Sequence, residues 1–304
     1  MRSSTRASDT TEAGGAATNG TSPRRAALRR LVRNHPAMIG AGVVLAMALV
    51  AMLAPVLAPY DPLGVDLLAS WESPSAKHWL GADELGRDIL SRIIYGSRTS
   101  LEIAVVGVGI ALGLGVLVGP PAGYYGGWPD RILMRIVEVL LAFPSILLAI
   151  CIIAIAGPGL QSTMLAVGVS SVPTFALLAR SATLALRNQD FVHAARAMGA
   201  PDRRIIGAHI LPNLATPLIV QSSLRLSTMV LTAAGLSFIG LGVQPPHPEW
   251  GTMMSEARSA IREAPHAIAF PGLVLMLVVL GFNLFGDGLR DALDVRDVGP
   301  PGSG

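Results

Sequence analysis

The chain has 304 residues, of which 51% are hydrophobic and 14% are charged, and its formal net charge is +3. A soluble domain of this size needs more charge to cover its surface. The apolar residues are gathered in runs of about 20, which is the length that crosses a bilayer. The positive charge comes almost wholly from arginine, since Lys77 is the only lysine, and the arginines flank the apolar runs. They therefore indicate membrane topology and argue against a nucleic-acid surface.

The first part of the chain is predicted to be a tail followed by a membrane helix. Residues 1–33 begin with a stretch rich in Ser, Thr, Ala and Gly and end in a cluster of arginines, which predicts a disordered cytoplasmic tail. The apolar run at about 36–57 is longer than the core of a cleaved signal peptide. It therefore predicts a retained transmembrane helix within residues 34–58, and a polar extracytoplasmic segment follows over residues 59–96.

Five more spans are predicted at about 100–121, 132–156, 161–182, 214–241 and 266–285, with a short cytoplasmic tail at 291–304. Arginine is more frequent in the inner segments, which places both termini in the cytoplasm. The predicted fold class is therefore an all-α polytopic membrane protein with six transmembrane helices. Pro144 and Pro173 are expected to kink the third and fourth spans.

The second span contains two GxxxG pairs, Gly109/Gly113 and Gly115/Gly119. Glycines at this spacing let two helix backbones approach closely, so both pairs predict helix packing.

No catalytic constellation is visible in the sequence. Lys77 is not part of a glycine-rich phosphate-binding loop, and neither an HExxH motif nor a GxSxG motif occurs. No two histidines have the spacing of metal ligands on one helix. The sequence therefore predicts no catalytic residue, no metal site and no bound cofactor in this chain.

The longest predicted cytoplasmic loop between spans covers residues 190–213. Four apolar residues share one face of a short helix in it: Phe191, Ala194, Ala195 and Met198. Gly199 is expected to end this helix, Leu211-Pro212 to end a second one, and Asn213 to cap the fifth span. A small apolar face on the cytoplasmic side fits a groove on a partner protein or a lipid surface. The residues alone leave both possibilities open.

The loop resembles the EAA loop of ABC importer permeases. In that motif Ala-Ala is followed by a glycine four residues on and by Leu-Pro a further twelve on, as Ala194-Ala195, Gly199 and Leu211-Pro212 are here. His193 and His209 depart from the motif, since they stand where it has a glutamate and an isoleucine. The resemblance implies an ATPase-coupling role for one set of residues: Phe191, His193, Ala194, Ala195, Met198, Gly199, Leu211 and Pro212.

Further stretches resemble the C-type permease subunit of the dipeptide/oligopeptide ABC importers. They lie in order along the chain at 78–96, 122–127, 142–144, 236–251 and 286–294. The resemblance implies the ABC type I importer fold, with a core over residues 97–290 and one extra N-terminal span, in the bacterial inner membrane.

The same resemblance implies a set of partners. They are a second homologous permease, two ATPase subunits that hold ATP and Mg, and an extracytoplasmic peptide-binding protein that faces part of 60–99 and the 244–265 loop. The implied cargo is a dipeptide or oligopeptide. Nickel or another metal chelate, or glutathione, is the alternative cargo within this class. A stand-alone secondary transporter is the alternative from a different class, and a membrane enzyme is disfavoured by the missing catalytic set.

Four residues are predicted to line a cavity or a gate: Arg225, Glu138, Pro144 and Asp287. Arg225 lies about twelve residues into the fifth span, where exposure of its charge to lipid is costly. It is expected to meet a peptide carboxylate, to pair with Glu138, or to extend toward the inner face. Asp287 is expected to join a surface salt network with Arg290, Asp291 and Asp294, or to act in a gate.

Overall fold

The computed structural model describes residues 29–293, so most of the predicted N-terminal tail and all but the first residues of the predicted C-terminal tail lie outside the described residues. The described part is helical, and its only β-type contact is an isolated bridge between Ala82 and Asp88. The main helices are α1 (His35–Met52), α2 (Ile89–Tyr125), α3 (Gly127–Leu141), α4 (Ser145–Ala156), α5 (Leu160–Leu186), α6 (Asp190–Ala197), α7 (Leu211–Phe238), α8 (Trp250–Glu256) and α9 (His266–Leu293). Shorter helical segments are Ala54–Leu57, Leu67–Ala69, Asp202–Arg204, Ile205–Ile210 and Ala257–Ala260.

The number of spans agrees with the prediction of six. Five helical segments between residues 29 and 293 are long and apolar enough to cross a membrane: α1, α2, α5, the continuous stretch Asp202–Phe238, and α9. The sixth span is the pair α3 and α4, which meet at a bend of 90°. Pro144 caps the start of α4 with extended backbone, and a residue before proline avoids the helical region. The predicted kink at Pro144 is therefore confirmed as a complete break, whereas α5 runs without interruption through Pro173.

The prediction for the end of the cytoplasmic loop was wrong. Leu211-Pro212 does not end a second short helix, because a π-helical turn, Ile205–Ile210, leads directly into α7. Pro212 lies in the first turn of α7, where its missing N–H is least costly. Asn213 does not cap the helix either, since its Nδ2 donates to the carbonyl of His209 at 2.6 Å.

The two GxxxG pairs of α2 have different surroundings. An added Cβ at Gly119 would lie 2.5 Å from the carbonyl oxygen of Ala176, and one at Gly115 would overlap Phe175. Close packing of α2 on α5 is thus confirmed for Gly115/Gly119. An added Cβ at Gly109 or Gly113 would meet no atom within 4 Å in the described part of the chain.

Candidate functional site

Helix α6 presents a narrow apolar face to the cytoplasm. Phe191 and Met198 are 40% and 81% exposed, and Ala194 lies exposed between them. On the opposite side Val192 and Ala195 are buried in the core of the bundle. The prediction that Ala195 shares the exposed face was therefore wrong. A helix this short must be held by one side, and the i, i+3 pair of Val192 and Ala195 provides that contact.

Gly199 ends α6 as predicted. Its φ is +77°, in the left-handed region. The N–H of Gly199 donates to the carbonyl of Arg196 at 3.0 Å, and the N–H of Ala200 donates to that of Ala195 at 3.1 Å. These two bonds form a Schellman motif, which satisfies carbonyls that the helix end leaves free. The motif fixes where the chain turns back toward the membrane.

Tyr124, near the end of α2, contacts both the last turn of α6 and the segment that follows it. Its hydroxyl donates to Asp202 Oδ1 at 2.7 Å and accepts from Arg196 Nη2 at 3.2 Å. The Arg196 guanidinium also lies 5.6 Å from the centroid of the Tyr124 ring, a cation–π distance. These contacts join the last turn of α6 and the segment that follows it to the end of α2.

Two further contacts hold the inner ends of the helices together. Arg180 on α5 makes a two-pronged pair with Asp130 on α3, at 2.6 and 2.7 Å. Arg187 Nη1 donates to the carbonyl of Gly123 at 2.9 Å. Charged bonds of this geometry are among the stronger ones in proteins. They make α2, α3 and α5 a single unit at the cytoplasmic side.

The remaining residues that were predicted to couple to an ATPase are exposed to different degrees. His193, which stands in the glutamate position of the motif, is exposed on α6. Leu211 is half-buried and Pro212 is exposed at the start of α7.

A cavity of about 280 Å³ lies along the seam between α5 and α7, next to the α3–α4 break. Arg225 lines it and donates from Nη2 to Thr174 Oγ1 at 2.9 Å. Six residues of the cavity lining carry hydroxyl groups. They belong to Ser145, Ser170, Ser171, Thr174, Thr228 and Thr232.

The polar lining follows one face of α7. Gln221, Arg225, Thr228 and Thr232 are spaced at i, i+4, i+7 and i+11, which places them on one helical stripe. Gln221 lines a second cleft of about 370 Å³, which lies between α5, α7 and α9 and includes Arg290 in its lining. Sequence reasoning singled out Arg225 but missed the stripe, although its spacing was visible in the sequence.

The other predicted cavity residues lie elsewhere. Glu138 is exposed on α3 and pairs with Arg135 at 3.3 Å, so the predicted pair of Glu138 with Arg225 is wrong. Pro144 does not line the cavity, but its neighbours Phe143 and Ser145 do.

Asp287 is exposed on α9 and, within residues 29–293, no ion pair joins it to Arg290 or Asp291. The predicted salt network is therefore wrong for these members. Asp294 lies outside the described residues.

Comparison with known proteins gives two family matches. The profile described as "Binding-protein-dependent transport system inner membrane component" matches residues 78–296. The profile described as "N-terminal TM domain of oligopeptide transport permease C" matches residues 22–74.

Two relatives match nearly the whole chain. The dipeptide transport system permease protein DppC of Alkalihalophilus pseudofirmus is 48% identical over 275 residues, which is 90% of each chain. The glutathione transport system permease protein GsiD of Pectobacterium atrosepticum is also 48% identical over 275 residues, 90% of this chain and 91% of that one.

A chain of the MetNI methionine ABC transporter in an inward-facing conformation is similar in structure. The TM-score is 0.55 at 21% identity, over 67% of this chain and 97% of that one. At this identity the likeness shows the fold alone. Together these matches show that the chain belongs to the family of binding-protein-dependent transport system inner membrane components, as an ABC importer permease with the type I importer fold.

Proposed function

We propose that this chain is one of two permease halves of an ATP-driven importer whose cargo is a small peptide with a free carboxylate. The observation that carries the proposal is the polar seam of α5 and α7, in which Arg225 is the cation among hydroxyl groups. A guanidinium away from bulk water binds a carboxylate strongly. The relatives named for dipeptide and glutathione transport support this class, since both compounds carry carboxylates.

The lining of the cavity disfavours a bare metal cation as cargo. Among the described residues, those that line the cavity include no Asp, Glu, His or Cys. Divalent transition metals need such ligands, and the positive charge of Arg225 repels them. Free nickel is therefore a poor fit, whereas a chelate that presents carboxylates shares the chemistry of a peptide.

Coupling to ATP is proposed to pass through α6. Phe191, Ala194 and Met198 form a small apolar projection that fits a groove of an ATPase subunit. The two ATPase subunits bind ATP together with Mg and hydrolyse the ATP, and closure of these subunits moves α6. The ties of α6 to α2 through Tyr124 then transmit the movement to the membrane helices, as in a rigid-body switch between two states.

The cavity in this chain is half of a pathway. A second, homologous permease supplies the facing wall, and an extracytoplasmic binding protein delivers the cargo. A stand-alone secondary transporter is disfavoured, because such proteins are built from inverted repeats with broken helices in both halves, whereas the break at Pro144 has no counterpart among the described spans.

The cargo is tested by uptake into proteoliposomes that contain both permeases, both ATPases and the binding protein. We expect ATP-dependent uptake of labelled dialanine or glutathione and none of free Ni²⁺. ATP-dependent uptake of Ni²⁺ that neither peptide inhibits would contradict the proposal.

The role of Arg225 is tested by a pair of cargoes that differ in one charge. Arg225→Gln should lower uptake of dialanine about 10- to 100-fold, since a hydrogen bond to a charged group contributes about 1.5–3 kcal/mol. Arg225→Gln should lower the uptake of the amidated dipeptide, which has no carboxylate, far less. Arg225→Lys should recover part of the activity, and Arg135→Gln, which removes an exposed arginine outside the cavity, should have little effect. Equal losses for both cargoes would show that Arg225 is needed for structure alone.

A further inference from the structure

The cleft that Gln221 and Arg290 line lies on the cytoplasmic side of the cavity that Arg225 lines. On α7 the cleft is lined by residues between 216 and 224, and the cavity by residues between 225 and 232. On α5 the cleft is lined by Leu178, and the cavity by residues between 167 and 174. Because α5 ends at the cytoplasmic loop and the stretch that continues into α7 leaves that loop, the cleft is nearer the cytoplasm on both helices.

Two contacts fix how α9 is aligned with α7. Ser227 Oγ lies 2.7 Å from Asn283 Oδ1. An added Cβ at Gly286 would lie 2.6 Å from Leu224 Cδ2, so the backbone of α9 passes directly beside that side chain. The first contact is three residues farther along α7 and three residues earlier on α9 than the second. The two helices are therefore antiparallel and keep one register over this turn.

The same register gives the level of Arg290. One turn farther toward the cytoplasm, it places Arg290 level with Val220, next to Gln221, and all three residues line the cleft. The five steps from Val220 to Arg225 correspond to about 7.5 Å along the helix axis, at a rise of about 1.5 Å per residue. An extended dipeptide spans roughly 7 Å. The two arginines are thus separated along the membrane normal by about the length of one such cargo molecule.

The surroundings of Arg290 suit a carboxylate. Arg290 is exposed at the inner end of α9. Its acidic neighbours Asp287 and Asp291 form no ion pair with it within residues 29–293. The lining of the cleft is mostly apolar and, among the described residues, includes no acid. A carboxylate that enters the cleft therefore meets one guanidinium and the amide of Gln221 between apolar walls, a combination typical of small-molecule sites.

We propose that Arg290, with Gln221 beside it, is an exit station that receives the carboxylate of the cargo after it leaves Arg225. Arg290 is more exposed to water than Arg225, so its attraction for a carboxylate is weaker. A weaker second site lowers the barrier to departure from Arg225 and still releases the cargo to the cytoplasm. This inference rests on the proposed function, and it adds a second binding position on the cytoplasmic side of the first.

The test compares labelled dialanine with the amidated dipeptide in proteoliposomes that contain the complete transporter and the binding protein. Arg290→Gln should lower the maximal rate of dialanine uptake about two- to fivefold, the range for an exposed charged pair. It should leave the uptake of the amidated dipeptide and the half-saturating concentration of the loaded binding protein unchanged. Arg290→Lys should keep most of the rate for dialanine, and Arg290→Glu should slow dialanine further without slowing the amidated dipeptide. Arg135→Gln is the matched control, since it removes an exposed arginine outside the cleft.

Three other results separate the explanations. If Arg225→Gln slows both cargoes equally, the proposed function fails. If Arg225→Gln distinguishes the cargoes while Arg290→Gln and Arg290→Glu slow both equally or neither, only the exit station is refuted. If the effect of Arg290→Gln disappears in liposomes made of phosphatidylcholine alone, Arg290 binds an anionic lipid headgroup and the inference is overturned.

Discussion

Replacement of Gly199 by valine tests whether the end of α6 must be ordered for transport. An added Cβ at Gly199 meets no atom within 4 Å, so valine introduces no clash with neighbouring residues. The cost arises from the backbone, since φ is +77° and an L-residue in this region loses about 1–2 kcal/mol. Asparagine tolerates the same conformation, which makes Gly199→Asn a matched control.

A loss of 1–2 kcal/mol shifts the ratio of ordered to frayed α6 by about five- to thirtyfold. We expect Gly199→Val to speed amide hydrogen exchange in residues 190–198 and to lower cargo uptake per ATP hydrolysed. Gly199→Asn should stay within about twofold of the wild type in both measurements. Normal uptake by Gly199→Val despite fast exchange would refute the view that α6 couples the ATPases to the membrane helices. Equal damage from both variants would refute the backbone explanation.

Two further substitutions have matched controls. Gly115→Ala should lower the Tm of the purified protein, because the new methyl group enters the contact of α2 with α5 and overpacking costs about 1–3 kcal/mol. Gly113→Ala places its methyl group in open space and should leave the Tm unchanged or raise it. An equal loss of Tm in Gly113→Ala would contradict the close packing of α2 on α5 at Gly115. Tyr124→Phe removes the hydroxyl that bonds to Arg196 and Asp202 but keeps the ring, so uptake should fall while the Tm stays near that of the wild type. Tyr125→Phe, which alters an exposed ring, should change neither the uptake nor the Tm. Unchanged uptake in Tyr124→Phe would show that this tie does not transmit the movement of α6.

The spans and the glycine that ends α6 could be predicted from the sequence because both depend on local signals. A run of about 20 apolar residues is a clear signal of a membrane-spanning helix. Gly199 directly follows a short amphipathic helix, which is where glycine commonly ends a helix. The continuation of the helix through Ile205–Ile210 was missed, because Pro212 was interpreted as a helix end when it occupies a first turn.

The contacts that join distant parts of the chain could not be predicted. Tyr124 and Asp202 are 78 residues apart, and nothing in either local pattern indicates the other. The same holds for Arg92 and Glu256, which are 164 residues apart. The side of α6 that is buried could not be predicted either, since the burial of Ala195 depends on which helices pack behind it.

The polar seam between α5 and α7 could have been predicted from the sequence, but only Arg225 was identified. Arg225 was noticed because a charge inside a span is costly. Thr228 and Thr232 continue its stripe at helical spacing, yet hydroxyl groups in a membrane helix can bond to their own backbone. Thr232 does so, donating to the carbonyl of Thr228 at 2.8 Å. That Thr228 and Thr232 line one cavity with Arg225 becomes clear only once α5 is packed against α7.

The most direct test of the central claim is a cross-link between α6 and an ATPase subunit. Cys151, the only cysteine, is replaced by serine, and Met198→Cys is introduced at the most exposed position of the α6 face. We expect a bismaleimide to join Met198→Cys to a cysteine placed in the ATPase groove, with a yield that changes when ATP is added. Val192→Cys, buried on the opposite side of α6, should not react. An assembly that takes up peptide while Met198→Cys never links to an ATPase subunit, and instead reacts freely with soluble maleimide in every nucleotide state, would contradict the account.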